Sequence, residues 1–275
     1  MDADQIDSDL TGFGKADAGL RRRELLKTVA ALPLAAVLAN PALAEMAAAT
    51  TAEQTIRTAG GKTVKASLAI PAVTPAPALI LIHEFWGLND QIRTMAAEFG
   101  KLGYLALAVD LYDGKVGKTP EEARDYMSQV KPEEATDTLV SWARWLNAHK
   151  QGTGRVGSVG WCFGGGWSME TGIEAGTDAV VVYYGKVDQP VERLKKLKGP
   201  VLGHFGTRDT FINTAMVDGF EANMKAAGKQ ATIYRYDADH AFANPTGARY
   251  DAEDAKLAWD RTTGFLGKVL FGPKG

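Results

Sequence analysis

The chain has 275 residues, 45% hydrophobic and 23% charged, enough to bury one sizeable core. Its 31 basic and 33 acidic residues leave a formal charge of −2, which gives no electrostatic footprint for nucleic acid. One cysteine excludes an internal disulfide and any cysteine-based metal cluster, and four histidines without ligand spacing (His83, His149, His204, His240) predict no metal.

Residues 1–44 are organised as an export signal rather than as part of a fold. Arg21-Arg22-Arg23-Glu24-Leu25-Leu26-Lys27 contains an arginine pair followed by two leucines and a lysine, the twin-arginine form. The apolar run Thr28 to Leu38 contains Pro33 and is far shorter than the roughly twenty residues a stable membrane span needs. Ala42-Leu43-Ala44 then supplies a small-x-small cleavage site, so the mature domain is expected over 45–275. The alternative is an amphipathic N-terminal helix on a cytosolic protein. The order of arginine pair, apolar run and cleavage site favours recognition by twin-arginine export machinery, and a periplasmic or secreted protein. A single unpaired cysteine suits that route.

After the signal, Gln54 to Ile70 reads as a hairpin turning at Ala59-Gly60-Gly61, and Pro71 to Pro77 as a proline-punctuated loop. Ala78 to Ile82 is a short apolar run of the kind buried on both faces of a sheet. Asn89 or Asp90 caps a helix to about Leu102, and Tyr104 to Val109 is a second buried strand. Pro120 to His149 is predicted as two helices broken at Lys131-Pro132. His149 closes the second and is expected to interact with its last carbonyls. A strand over 155–161 leads into a helix over 164–176. Further strands are predicted over 179–184, 201–205 and 231–236, and helices over 214–227 and 251–270. This alternation predicts an α/β fold with a mostly parallel central sheet and helices on both faces.

In such sheets the ligand site lies at the carboxyl ends of the strands, which filters the candidates. Gly160-Trp161-Cys162-Phe163-Gly164 has the G-x-Nu-x-G form of a nucleophile elbow with sulfur in place of oxygen. Asp209 follows the strand ending at Phe205, and His240 the strand ending at Tyr236. Nucleophile, acid and histidine thus occur in the order of the α/β-hydrolase arrangement. A thiol near pKa 8.5 is mostly protonated at neutral pH, so an imidazole is needed to take its proton, and a carboxylate to orient the imidazole. Each residue also has a plainer role open to it. A lone cysteine is often a small buried hydrophobe. Asp209 can cap the segment after Thr210, or do both. Asp237 and Asp239 compete as the acid but sit too near His240 in sequence to orient its ring easily. His204, inside an apolar strand, reads as a satisfied core histidine.

The segment His83-Glu84-Phe85-Trp86-Gly87 leaves a strand at the same edge, in the position that supplies an oxyanion-hole N–H. Phe85 and Phe163 are then the main-chain donors, each of a kind worth ~3 kcal/mol to catalysis. Glu84 lies between apolar residues, either as a functional acid or as the partner of a nearby Arg or Lys.

Taken together, His83-Glu84-Phe85-Trp86-Gly87-Leu88-Asn89, Asp110-Leu111-Tyr112, Gly160 to Gly165, Gly206-Thr207-Arg208-Asp209 and His240-Ala241-Phe242-Ala243 resemble the dienelactone hydrolase family over about Gln54 to Phe271. The resemblance implies an α/β-hydrolase fold with a Cys162–His240–Asp209 triad and with Glu84 beside the thiol, taking part in its activation when substrate enters. It also implies cofactor-free hydrolysis of a lactone or ester through a thioester. Members of the family carry an arginine just after D-L-Y and another four residues after the histidine, holding a substrate carboxylate. Here these places hold Asp113-Gly114-Lys115 and Asn244, with Lys115 or Arg249 as possible substitutes. Trp86, Tyr112, Lys115, Trp161, Phe242 and Asn244 are the expected substrate contacts, and a neutral or apolar small-molecule ester or lactone is expected over a dianionic one. The rival readings are a binding protein without the chemistry, against which the ordered triad argues, and a thiol redox protein, which lacks a resolving cysteine. A monomer or small homo-oligomer is expected.

Overall fold

A computed structural model describes residues 32–273. The arginine-pair segment lies outside the described residues. Eight strands form one sheet in the order β1-β2-β4-β3-β5-β6-β7-β8. They are β1 Ala52–Arg57, β2 Thr63–Ala69, β3 Ala76–Ile82, β4 Leu105–Val109, β5 Gly152–Trp161, β6 Ala179–Tyr183, β7 Val201–Gly206 and β8 Ala231–Tyr236. The β1–β2 hairpin joins the sheet antiparallel to β4, and all other neighbours are parallel. The mostly parallel sheet is what the strand–helix alternation predicts, and the arrangement is the α/β-hydrolase fold that the resemblance implies.

The buried strands are those whose sequences are apolar without interruption. β3 (APALILI), β4 (LALAV) and β6 (AVVVY) are buried at every position, because helices cover both faces. On one face Leu79 and Leu81 meet Ile92, Met95, Ala96 and Phe99 of a helix spanning Asp90–Lys101, and Ala258, Leu266 and Leu270 of another spanning Ala252–Leu270. On the other, Ile80 and Ile82 meet Leu139, Trp142 and Leu146 of the helix Pro132–Asn147. Helix starts follow their caps. Asn89 accepts from Ile92 N–H, Thr119 from Glu122 N–H ahead of Pro120, and Asn213 from Met216 N–H.

In chain order the helices are α1 Leu34–Ala39, α2 Pro41–Ala48, α3 Asp90–Lys101, α4 Pro120–Ser128, α5 Pro132–Asn147, α6 Phe163–Ala175, α7 Val191–Leu194, α8 Thr214–Ala226 and α9 Ala252–Leu270. The short α7 has no counterpart in the sequence reading. His204 is fully buried, its Nδ1 2.7 Å from the Tyr236 hydroxyl and its Nε2 3.0 Å from Thr262 Oγ1, and burial drives its pKa down to about 3. At the end of the second helix the His149 main-chain N–H donates to the Leu146 carbonyl at 3.1 Å, while its side-chain Nδ1 accepts the Gln151 N–H rather than reaching a helix carbonyl.

Residues 34–48, which include the expected cleavage site, are mostly helical. α1 and α2 lie against α3, with Val37, Leu38, Ala44 and Ala47 buried and the Thr94 hydroxyl donating to the Ala44 carbonyl at 2.9 Å. The expected cleavage point therefore falls inside α2. No helix among the described residues is long and apolar enough to cross a membrane. If this contact contributes as a buried hydrogen bond does, Thr94→Val costs about 1 kcal/mol in denaturant unfolding of the full chain. The cost should vanish in a chain beginning at Glu45, which a double comparison of the unfolding curves reads directly.

Candidate active site

The carboxyl ends of β3, β5, β6, β7 and β8 bring together five loops, and Cys162 stands at the apex of the sharpest. Its φ of 53° and ψ of −117° lie where an L-residue is strained, and the following Phe163 begins α6 at once. Two close backbone approaches hold the turn. A Cβ on Gly160 would run into the Gly164 carbonyl, and one on Gly164 would meet the Ile82 carbonyl and come within 2.5 Å of the His83 carbonyl oxygen.

His240 reaches Cys162 from the loop after β8, with Nε2 3.1 Å from Sγ. Its Nδ1 donates to Asp209 Oδ2 at 2.6 Å. Asp209 Oδ1 accepts the N–H groups of Phe211 and Ile212 at 2.8 and 2.9 Å, so one oxygen orders its own turn and the other faces the ring. The helix beyond is capped by Asn213 instead. Asp237 and Asp239 point away and pair with Arg208. Burial opposes a charge on the imidazole, but the hydrogen bonds to Asp209 and Cys162 outweigh it and raise His240 from 6.5 to about 9. Burial likewise opposes the Asp209 carboxylate, yet the His240 hydrogen bond and the two N–H donors hold it below its ordinary value.

The loop after β3 is fixed by the loop after β4. His83 is fully buried; its Nδ1–H donates to the Glu84 carbonyl at 2.6 Å and its Nε2 accepts the Leu111 N–H at 3.2 Å, so the ring is a neutral brace. Burial lowers its pKa in keeping with that. Asp110 accepts the N–H groups of Tyr112 and Gly114, and the Tyr112 hydroxyl donates to the Phe85 carbonyl at 3.1 Å. Phe85 and Phe163 both border the cleft that holds Cys162 and His240.

That cleft has a volume of about 870 Å³. Phe85, Phe163, Trp167 and Met127 give it apolar walls, and Arg124 and Arg249 place cations in it. The expected substrate contacts lie elsewhere. Trp161 is stacked on Tyr183 in the core, and Phe242 is fully buried between Tyr184 and Tyr236, because both side chains turn inward at their strand or loop ends. Tyr112 is buried by its hold on Phe85, and Trp86 lies against the Phe85 ring outside the cleft lining. Lys115 is on the far side of the Tyr112 loop, in a separate polar pocket of about 210 Å³ where it bonds Gln129. Asn244 is buried and donates to Glu84. Glu84 itself is buried, with its oxygens bonded to Asn244 and Tyr184, and it lies near the thiol's partner His240. Arg124 and Met127, on α4, carry no sequence motif that could have pointed to them.

Comparison with known proteins agrees with this geometry. The sequence profile of the dienelactone hydrolase family matches residues 64–270. The chain belongs to the dienelactone hydrolase family. It is 31% identical to a Saccharolobus solfataricus protein provisionally named a carboxymethylenebutenolidase, over 76% of this chain and 95% of that one. It is 28% identical to the carboxymethylenebutenolidase of Pseudomonas putida, over 77% and 94%. A Klebsiella pneumoniae crystal structure, provisionally described as a dienelactone hydrolase, superposes with a TM-score of 0.72 at 27% identity, covering 79% of this chain and 98% of that one. The protein is therefore an enzyme of the hydrolase class.

The elbow gives a direct test. Gly164→Ala forces a methyl against two backbone carbonyls that cannot move aside, and should destabilise the enzyme by about 3 kcal/mol or more. Calorimetry reads this as a loss of several degrees in Tm. An unchanged melting curve would mean that the elbow tolerates a side chain there.

Proposed function

We propose that the enzyme hydrolyses a carboxylic ester or lactone with Cys162 as nucleophile, through a thioester acyl-enzyme. The observation that carries this reading is the 3.1 Å approach of His240 Nε2 to a sulfur held at the apex of a strained turn. Nε2 takes the thiol proton, and the sulfur electron pair forms a bond to the substrate carbonyl carbon. The carbonyl oxygen becomes an oxyanion, for which the main-chain N–H groups of Phe85 and Phe163 are the proposed donors. As the tetrahedral centre collapses, the imidazolium returns its proton to the leaving alkoxide. In a lactone the leaving oxygen stays tethered to the acyl group. A water, deprotonated by the same ring, then releases the acid and restores the thiol. No step calls on a cofactor.

The apolar walls of the cleft support an acyl or alkyl group of some bulk, and its arginines can meet a polar or anionic end. Glu84 is assigned no step here. We also propose export by the twin-arginine route to the periplasm, supported by the arginine pair, the apolar run and the small-x-small site in order. Changing Arg22 and Arg23 together to Lys should leave the enzyme in the cytoplasm. N-terminal sequencing of the exported form is expected to begin near Glu45, and a full-length cytoplasmic chain would overturn the proposal.

Cys162→Ala is expected to keep its melting transition and lose both turnover and the acyl mass increment that wild type shows with a panel of charged and neutral esters and lactones. Turnover in that variant would sink the reading. Because His240 must carry a proton for the leaving oxygen, kcat/KM should fall as pH rises through about 9. Asp209→Asn removes the carboxylate that raises the imidazole. Its alkaline limb should move down towards 6.5, with kcat/KM lower by at least about 100-fold.

A further inference from the structure

The cleft around Cys162 has two sides, and the order of the sheet separates them. Cys162 follows β5. His240 follows β8, three strands away in one direction, and α4 follows β4, two strands away in the other. His240 gives a proton to the leaving oxygen, so the leaving group lies on its side, where Phe211 meets the imidazole edge-on at 5.4 Å and Arg249 also lines the cleft. The acyl substituent then points the other way, towards α6 and α4. On α6, Phe163 and Trp167 lie one turn apart on a single face with their rings 6.0 Å apart, and Gly166 beside them puts no side chain in the way.

The remaining apolar lining on that side comes from α4. Of its nine residues only Ala123 is buried, with Tyr126 half-buried on the same face. Arg124 and Met127, also three apart, form the neighbouring stripe that lines the cleft. Arg124 pairs with Glu121 at 2.9 Å, and both are exposed, so its charge stays in solvent at the rim. Glu170 of α6 is paired too, with Arg193 at 2.7 Å. Met127 has no partner of that kind; it is a large apolar side chain left 37% exposed in the same cleft as Phe163 and Trp167. Contacts outside the cleft hold α4 in place. A Cβ on Gly117 would come within 2.8 Å of the Ala123 backbone, the Gly117 N–H donates to the Trp86 carbonyl at 2.8 Å, and Tyr126 meets Tyr112 edge-on at 6.2 Å.

We propose that α4 is the acyl gauge of the enzyme: Met127, with Phe163 and Trp167, forms the acyl side of the cleft and selects an ester whose acyl group is apolar, uncharged and larger than acetyl. This rests on the ester or lactone hydrolysis proposed above. A short acyl group leaves Met127 and Trp167 in water, whereas a longer one takes both out of it. The charges on this side are already paired, so an acyl group with a charge of its own finds no free counter-charge there. An unbranched thioether side chain adapts to groups of different shape, which suits a wall that measures size rather than outline.

The test is kcat/KM for p-nitrophenyl acetate, butyrate and hexanoate, which share one leaving group. Wild type should prefer hexanoate to acetate by at least about 10-fold. Met127→Ala should lower that ratio by about fivefold or more, chiefly through KM for the hexanoate, and Met127→Leu should keep most of it. Gly117→Ala lies outside the cleft but drives a methyl against Ala123, so it should displace α4 and lower the ratio as well. Acetate esters that differ only in their alcohol should show no dependence on Met127. A ratio unchanged in folded Met127→Ala, or an equal effect of that substitution along the alcohol series, would overturn the proposal. If Gly117→Ala fails to fold, the Met127 ratio decides. Hydrolysis of all three esters by wild type without preference overturns the gauge alone. Absence of both turnover and acyl adduct with every ester, lactones included, overturns the proposed function and the gauge with it.

Discussion

A cysteine held at φ 53° is the constraint on which the site depends, and it is imposed from outside the residue. Gly160 lies against the Gly164 carbonyl, and Gly164 lies against the carbonyls at the end of β3. These are backbone-to-backbone approaches, so the elbow exists only while β3, β5 and α6 are locked together. β3 is the central strand of the core, paired with β4 on one side and β5 on the other. Burial of the apolar runs on both faces of the sheet therefore stabilises the strained turn, and the strain lifts Sγ out of the sheet towards His240.

The other loops show the same division between architecture and chemistry. His83, Asp110 and Tyr112 sit at the sheet edge among the motif residues, yet each spends its polar atoms on main chain: the Glu84 carbonyl, the Leu111, Tyr112 and Gly114 N–H groups, and the Phe85 carbonyl. Their effect is to fix the backbone at Phe85, where an oxyanion donor is proposed. A donor of this kind contributes most when it needs no reorganisation at the moment of reaction, so a loop held by these five hydrogen bonds suits the task.

The fold was legible because its signals are local. Uninterrupted apolar runs marked the buried strands, and Asn89, Pro120 and Lys131-Pro132 marked helix boundaries close to their observed places. The meeting of Cys162, His240 and Asp209 followed from one rule about strand ends. The cleft was not legible, since neighbourhood in sequence is a poor guide to which way a side chain points. Trp161 and Phe242 flank the reactive residues in the chain and turn into the core, whereas Arg124 and Met127 reach the cleft from α4, about forty residues before the cysteine. The N-terminal segment admits two readings. A short apolar run with small residues is the composition of a signal's cleavage region and equally of a helix that can lie close against α3.

The residue four places after the histidine shows how one substitution redistributes charge through such a site. A guanidinium there would be a fixed cation beside Glu84 and would favour its ionised form. Asn244 supplies one donor and no charge, and its own oxygen is tied by three donors. Burial is then the largest influence on the acid and pushes its carboxyl upward, against the hydrogen bonds from Asn244 and Tyr184. Arg249 stands further along the same loop and lines the cleft, together with Arg124. Charge recognition and control of the buried acid, which one guanidinium could combine, are here divided between an arginine in the cleft and an amide beneath it.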